Sequence, residues 1–144
     1  MNIQNKIKEV LAAHKLAALA TTDPDTLQPE SALVAYAEDE RLNLYFQTSQ
    51  LSRKMKNLRR NQKVALVIGF GHLTVQYEGT AQRLTAKEQI GRAAELFESK
   101  KSPTTQDYFD KPDTAVFKVI PTWIGYSDYT KRPPEVLELI DRDR

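Results

Sequence analysis

The sequence has no cysteine, which removes disulfides, zinc–thiolate centres, cysteine-ligated iron–sulfur clusters and cysteine nucleophiles together. That composition fits a reducing compartment. Its two histidines, His14 and His72, stand far apart with no neighbouring carboxylates and make a poor metal site. No apolar run approaches the roughly 20 residues that a membrane helix needs. Residues 1–10 are charged and amphipathic, without a signal-peptide core. No Ser/His/Asp spacing stands out for nucleophilic catalysis, and there is no internal repeat or low-complexity tract. Gly69-Phe70-Gly71 is followed by strand-like sequence, so it is not a dinucleotide fingerprint. The expectation is a soluble cytoplasmic protein with no resident metal and no membrane partner.

With 144 residues the chain suits one domain, residues 1–144, the last sixteen or so forming a tail over 129–144. Its net charge is only +2, but it is unevenly spread. Residues 53–63 carry six basic side chains (Arg53, Lys54, Lys56, Arg59, Arg60, Lys63) and no acidic one, whereas the other 133 residues hold 15 basic against 19 acidic groups. A local positive field on a mildly acidic body suggests a specific anion partner. Single-strand nucleic-acid grooves place stacking aromatics beside their cations, and this stretch has none. Nucleic acid is therefore not an expected partner.

Hydrophobic spacing gives the order of elements. Ile3, Ile7, Val10, Leu11 and His14 recur at helical intervals and predict a helix over 3–14, with His14 packed or capping. Residues 16–22 read as a buried strand closed by Asp23-Pro24-Asp25, and 29–37 as a second strand. Leu42, Leu44 and Phe46 alternate with polar neighbours in a third strand after the polar turn at 38–41. A helix over about 51–61 carries Leu51, Met55 and Leu58 on one stripe. Residues 63–70 form a strand ending in a Gly-flanked corner that leaves His72 exposed, and the next strand contains Gly79, a candidate bulge. Thr85-x-x-Glu88 reads as a capping box opening a helix with Ile90, Ala94 and Phe97. A polar loop over 104–112 follows, then two strands, 115–120 and 122–127, interrupted by Pro121. Trp123, Tyr126 and Tyr129 make an aromatic cluster suited to packing, and Val136, Leu139 and Ile140 in the tail suit capping a partner. Helices interrupt short antiparallel strands without alternating one for one, which argues against a parallel α/β sheet. Closing the sheet into a barrel hides the edges of so many short strands.

The segment Gln47-Thr48-Ser49-Gln50-Leu51-Ser52-Arg53-Lys54 carries the chemistry. A strand ends at Thr48 and a helix begins a few residues on, so backbone N–H groups and hydroxyl donors converge at its mouth. Arg53 adds a planar fork for phosphate oxygens and Lys54 a compact charge. Lys56, Arg60 and Lys63 gather on the solvated side of the helix. On position alone, an ordinary basic surface helix with a Ser/Thr cap fits this stretch equally well.

The pattern Tyr45-Phe46-Gln47-Thr48, then Ser52-Arg53-Lys54, then Asn61-Gln62-Lys63-Val64-Ala65-Leu66 resembles the pyridoxamine 5′-phosphate oxidase-like flavoproteins, including small general stress protein-like members. The strand Val75-Gln76-Tyr77-Glu78-Gly79-Thr80-Ala81 is similar to that family's strand ending in Glu-Gly. The likeness spans about residues 5–128. It implies a mainly β fold: a six- to seven-stranded antiparallel Greek-key split β-barrel with flanking helices. It also implies a homodimer with the cofactor site at the subunit interface. FMN is the implied cofactor, its phosphate on Arg53 and Lys54 with Ser52 and Thr48 donating nearby. The backbone around Leu33, Val34 and Ala35 would run along the isoalloxazine edge, and Thr74 and Trp123 would approach from the second subunit.

The departures are specific. Where true pyridoxamine phosphate oxidases carry an arginine on the second strand, this chain has Ala32. Gln47 replaces the usual aromatic, Thr74 a glutamine, and 122–132 has no clear match to the oxidases' substrate segment. The implied activity is thus an FMN-dependent oxidoreductase, with a small-molecule electron donor or acceptor, acting on something other than vitamin B6. The alternative is a non-catalytic dimer that binds or senses flavin, deazaflavin or haem.

Overall fold

The computed structural model describes residues 1–103, 109 and 111–140. Of the expected loop over 104–112, residues 104–108 and 110 lie outside the described residues, as does the tail beyond 140. The elements run α1 (Ile3–Ala13), β1 (Leu16–Thr22), β2 (Pro29–Ala35), β3 (Ala37–Glu38), β4 (Leu44–Ser49), α2 (Arg53–Leu58), β5 (Lys63–Ile68), β6 (Leu73–Leu84), α3 (Lys87–Ser99), β7 (Thr114–Asp128) and β8 (Glu135–Ile140). All strand pairs are antiparallel, in the order β2-β1-β5-β6-β7-β4-β3, with β8 added to β7. Among the described residues, no helix is long and apolar enough to cross a membrane.

The chain passes from one end of this sheet order to the other in a single residue. Tyr36 separates β2 from β3, so the run expected as one strand over 29–37 breaks and its last residue, Ala37, pairs with β4. The break is held from inside: Tyr36 is 1% exposed, its hydroxyl donates to the Leu11 carbonyl at 2.7 Å and its N–H to the Lys15 carbonyl at 3.1 Å. The Lys100 ammonium lies 3.9 Å from the Tyr36 ring centroid, donates to Leu11 O and pairs with Glu38. One buried corner thus ties together α1, β3 and the end of α3, curling the sheet into a split barrel.

The fifteen-residue β7 is continuous through Pro121, where two strands were expected. It pairs with β6 along its length, with β4 over 114–119 and with β8 over 123–128. Pro121 falls in the interval between β4 and β8, where its missing N–H costs the ladder least. The register shifts here, Glu78 facing Trp123 and Gly79 facing Pro121, and Thr122 Oγ1 donates to the Glu78 carbonyl at 3.2 Å. This is the bulge expected at Gly79. A Cβ on Gly79 would stand 2.3 Å from the Ile120 carbonyl oxygen, so only glycine fits.

Inside the barrel, Leu19, Leu66, Ile68, Val75, Tyr77, Val119 and Ile124 pack with Ile7 and Leu11 of α1. Phe46 and Phe117, opposite each other on β4 and β7, stack with centroids 5.2 Å apart. A second cluster, with Tyr45, Leu84, Ala94, Phe97 and Val116, lies under α3, so β4 is buried on both faces. Three expectations are corrected, and the tail proves ordered over 135–140. Leu51 is 90% exposed, because the helix starts only after Ser52 and the apolar stripe does not reach back to it. Phe70 is exposed, because β5 ends at Ile68 and Gly69 turns the chain at φ +83°. The Thr85 capping box does not form: α3 is capped at Ala86 with no side-chain bond, leaving Thr85 one residue too early. The tail forms strand β8, with Leu137 and Leu139 packed on the barrel core.

Two glycines give a paired test. Gly79→Ala should lower unfolding stability by about 2–4 kcal/mol, since backbone blocks the new methyl. Gly91→Ala, in α3 with open space around it, should raise stability by about 0.5–1 kcal/mol. Urea titration of both variants checks the difference in sign.

Candidate cofactor site

Helix α2 is six residues long and sits over the end of the barrel where β1 finishes and β2 begins. Its N-cap is Ser52, whose Oγ accepts from the Met55 N–H at 3.1 Å and from the Thr48 hydroxyl at 2.9 Å. Thr48 is buried, and Ser52 keeps its own proton to donate. Met55 and Leu58 anchor the helix in the core, which leaves Arg53 and Lys54 at its leading edge.

A cleft of about 210 Å³ opens there, lined by Thr21, Glu30, Ser31, Ala32, Arg53 and Lys54. Lys54 is partly buried, and no carboxylate among the described residues pairs with it. Burial alone pulls its pKa below the ordinary lysine value. Arg53 is different: its side chain is 76% exposed and contacts Glu30 at 2.8 Å. Hydrogen bonding to Glu30 raises the Arg53 pKa, while Arg53 and then Asn57 hold Glu30 below the usual carboxylate range. Glu30 is only 14% exposed and is fixed from below by the Asn57 amide at 2.9 Å. Asn57, 1% exposed, also donates to Thr21 Oγ1 at 2.9 Å.

Glu30 and Asn57 did not emerge from the sequence. Asn57 lies four residues after Arg53, on the same helical face, and that spacing was the available signal. Glu30 lies 23 residues before Arg53 and reaches it only through the fold. Arg60, read as solvated, pairs with Asp25 at 2.6 Å on the surface.

The outer face of the sheet continues the cleft. Opposite residues share a face, so the registers Ala18↔Leu33, Ala20↔Ser31, Ala18↔Val67, Ala20↔Ala65, Val67↔Gln76 and Ala65↔Glu78 define one surface. Alanines pave a trough of about 240 Å³ that shares Ser31 with the cation cleft, and a recess of about 490 Å³ adjoins it toward Gly79 and Thr122. Leu33 stands 64% exposed beside this trough, while the Val34 side chain packs inside the barrel.

Thr74 and Trp123 lie farther along the same outer surface, on β6 and β7. Thr74 Oγ1 is 3.4 Å from the Ile68 carbonyl, and the Trp123 ring covers Gly125 with its Nε1 3.3 Å from Glu138. Three and four strands from β2, they are roughly 14 and 19 Å away along the sheet. Within one chain they do not join the cleft. Nor does Gln47, which points to the α3 side of β4 with Tyr45. Neither histidine lines the cleft: His14 caps α1 beside Gly69, and His72 is exposed in its corner.

The sequence model of the family described as Pyridoxamine 5′-phosphate oxidase matches residues 3–128. The chain belongs to that family. Solved structures with the same fold include General Stress Protein 26 from Bacillus anthracis, 21% identical, with a TM-score of 0.72 over 96% of this chain and 100% of that one. A conserved hypothetical protein from Mycobacterium tuberculosis is 21% identical, with a TM-score of 0.76 over 100% of this chain and 95% of that one. A heme binding protein from Mycobacterium smegmatis is 15% identical, with a TM-score of 0.77 over 97% of this chain but 58% of that one. No curated protein matches the chain in sequence. Within the family's fold, the cleft at Arg53 and Lys54 occupies the junction of β1, β2 and α2.

The lowered Lys54 pKa has a definite sign in stability. The folded protein holds that proton less tightly than the unfolded chain, so charged Lys54 costs stability at neutral pH, and the cost falls as pH rises past its folded pKa and is gone above the unfolded lysine value. Lys54→Met should therefore raise the unfolding free energy at pH 7 by about 0.5–1 kcal/mol, and a urea midpoint below that of the unmodified protein would contradict it.

Proposed function

We propose that the protein is a homodimeric FMN-binding flavoprotein acting as a flavin-dependent oxidoreductase. The observation that carries this reading is a partly buried lysine with no acidic partner among the described residues, beside an arginine, in a cleft that continues into an alanine-paved trough. A desolvated cation is costly unless an anion meets it. Lys54 and Arg53 suit a phosphate, Ser52 and Ser31 can donate hydroxyl hydrogen bonds, and the small side chains of Ala18, Ala20 and Ala65 leave room for a flat ring. When bound, FMN supplies the hydride or electron chemistry itself, and the protein supplies anchoring, orientation and exclusion of water.

Residues 122–132 have no clear match to the substrate segment of pyridoxamine phosphate oxidases, which supports a small-molecule donor or acceptor other than a vitamin B6 phosphate. A haem or deazaflavin is the competing ligand, raised by the haem-binding neighbour. Among the described residues, the cleft is lined by two cations, hydroxyls and the Glu30 carboxylate and by no histidine, which favours the flavin.

The absorbance spectrum of the purified protein separates these readings. Flavin bands near the visible blue, or their appearance on adding FMN, support the proposal; a Soret band with no FMN uptake overturns it. Arg53→Ala combined with Lys54→Ala should weaken FMN binding at least a hundredfold, at roughly 1.5–3 kcal/mol per charge-assisted bond, and leave riboflavin binding unchanged. Arg59→Ala with Arg60→Ala should change FMN binding less than twofold.

The outer surface also supports the dimer. Leu16, Leu33 and Val67 are 41%, 64% and 37% exposed around the alanine trough, an apolar sheet face suited to a second copy. A charge at its centre, Val67→Asp, should yield a monomer by light scattering and lower FMN affinity with it. A folded variant that stays dimeric would remove this face from the interface.

A further inference from the structure

We infer that Glu30 is a built-in competitor for the anion cleft, a carboxylate that holds Arg53 when no ligand is bound and disfavours doubly charged over singly charged groups. The inference rests on the phosphate reading of the cleft and adds a determinant of its affinity and selectivity.

The geometry separates the fixed partner from the movable one. Glu30 is 14% exposed and clamped by Asn57, itself buried and bonded to Thr21, so the carboxylate cannot swing away. Arg53 is 76% exposed and touches Glu30 from the solvent side. An entering anion can draw Arg53 toward itself, but it cannot displace Glu30 from the wall. Because Glu30, Arg53 and Lys54 line the same cleft of about 210 Å³, the incoming charge sits near the carboxylate as well as the cations. Two cations against one carboxylate leave the cleft with a single positive charge. The charged groups facing Glu30 are Arg53 and Lys54 from α2 and Asp23 from the end of β1, the last adding to the repulsion. A phosphate monoester is mostly dianionic at pH 7.5 and mostly monoanionic well below its second pKa of about 6. The repulsion from Glu30 therefore weighs most on the dianion.

Glu30→Gln tests this, because the amide oxygen can still accept from Asn57 while the charge is removed. FMN and riboflavin are titrated by flavin fluorescence into the full-length protein and into the variant, at pH 7.5 and pH 5.5, with thermal unfolding as a check on folding. The expected result is FMN binding about tenfold tighter in the variant at pH 7.5, a smaller gain at pH 5.5, and no change for riboflavin. Glu30→Ala should repeat the sign. FMN binding that is unchanged or weaker in both variants, with riboflavin unaffected, overturns the competitor role and assigns Glu30 to presenting Arg53. Equal changes for FMN and riboflavin overturn it as well, since the effect then does not act on the phosphate. Wild-type binding of FMN in either case leaves the flavin reading standing. Failure of FMN to bind any of the proteins overturns that reading and this inference with it.

Discussion

The ladder between β6 and β7 is the constraint to which the other elements are fitted, because β7 is longer than any one partner strand and must serve several. β6 pairs with it along twelve residues, and the opposite edge is divided between β4 and β8. A straight strand of that length would splay its two partners on one flat surface. The bulge at Gly79 and Pro121 bends it, so β4 turns toward the α3 layer while β8 follows α1 around the barrel. Lys6 of α1 reaches Glu135 of β8 at 2.7 Å, fixing that side. The glycine and the proline work as a pair: one permits the close approach to Ile120, and the other occupies the stretch where no neighbour needs its N–H.

Closing the barrel is what brings the cleft residues together. β2 carries Glu30 and Ser31, and α2 follows β4, which lies near the other end of the sheet order. Only when Tyr36 turns the chain from β2 into β3 do these two ends meet. The buried Tyr36–Leu11–Lys100 contacts therefore act on the site at a distance, by holding the sheet curled.

Local sequence signals specify structure where one periodicity governs. The span of β1, the alternation of β5 through Ile68, the helix α1 and the bulge at Gly79 follow from apolar spacing and one well-placed glycine. So does the cluster Thr48, Ser52, Arg53 and Lys54, whose members all sit within seven residues. What spacing could not reveal was set by distant partners. Tyr36 breaks its strand because a carbonyl on α1 accepts its hydroxyl, and Pro121 stays within a strand because β6 pairs across it. Val136 to Ile140 form β8 because β7 leaves an open edge there. Glu30 belongs to the same class: a glutamate in a polar stretch, unremarked until Arg53 and Asn57 are found around it.

Two residues at the cleft, Ala32 and Glu30, act in one direction. Ala32 withholds a cation where the oxidases place an arginine, and Glu30 sets a carboxylate against one of the two cations that remain. A phosphate entering this cleft meets less electrostatic attraction than three unopposed cations would give it. Under the flavin reading, a larger share of binding must then come from the ring, and the surface available to the ring is the alanine trough at the proposed subunit face. Cofactor affinity and dimer formation become thermodynamically linked, each raising the other by mass action. In the proposed dimer the second subunit would supply the Thr74 and Trp123 side chains, which one chain's own contacts along the cleft and trough leave out of reach.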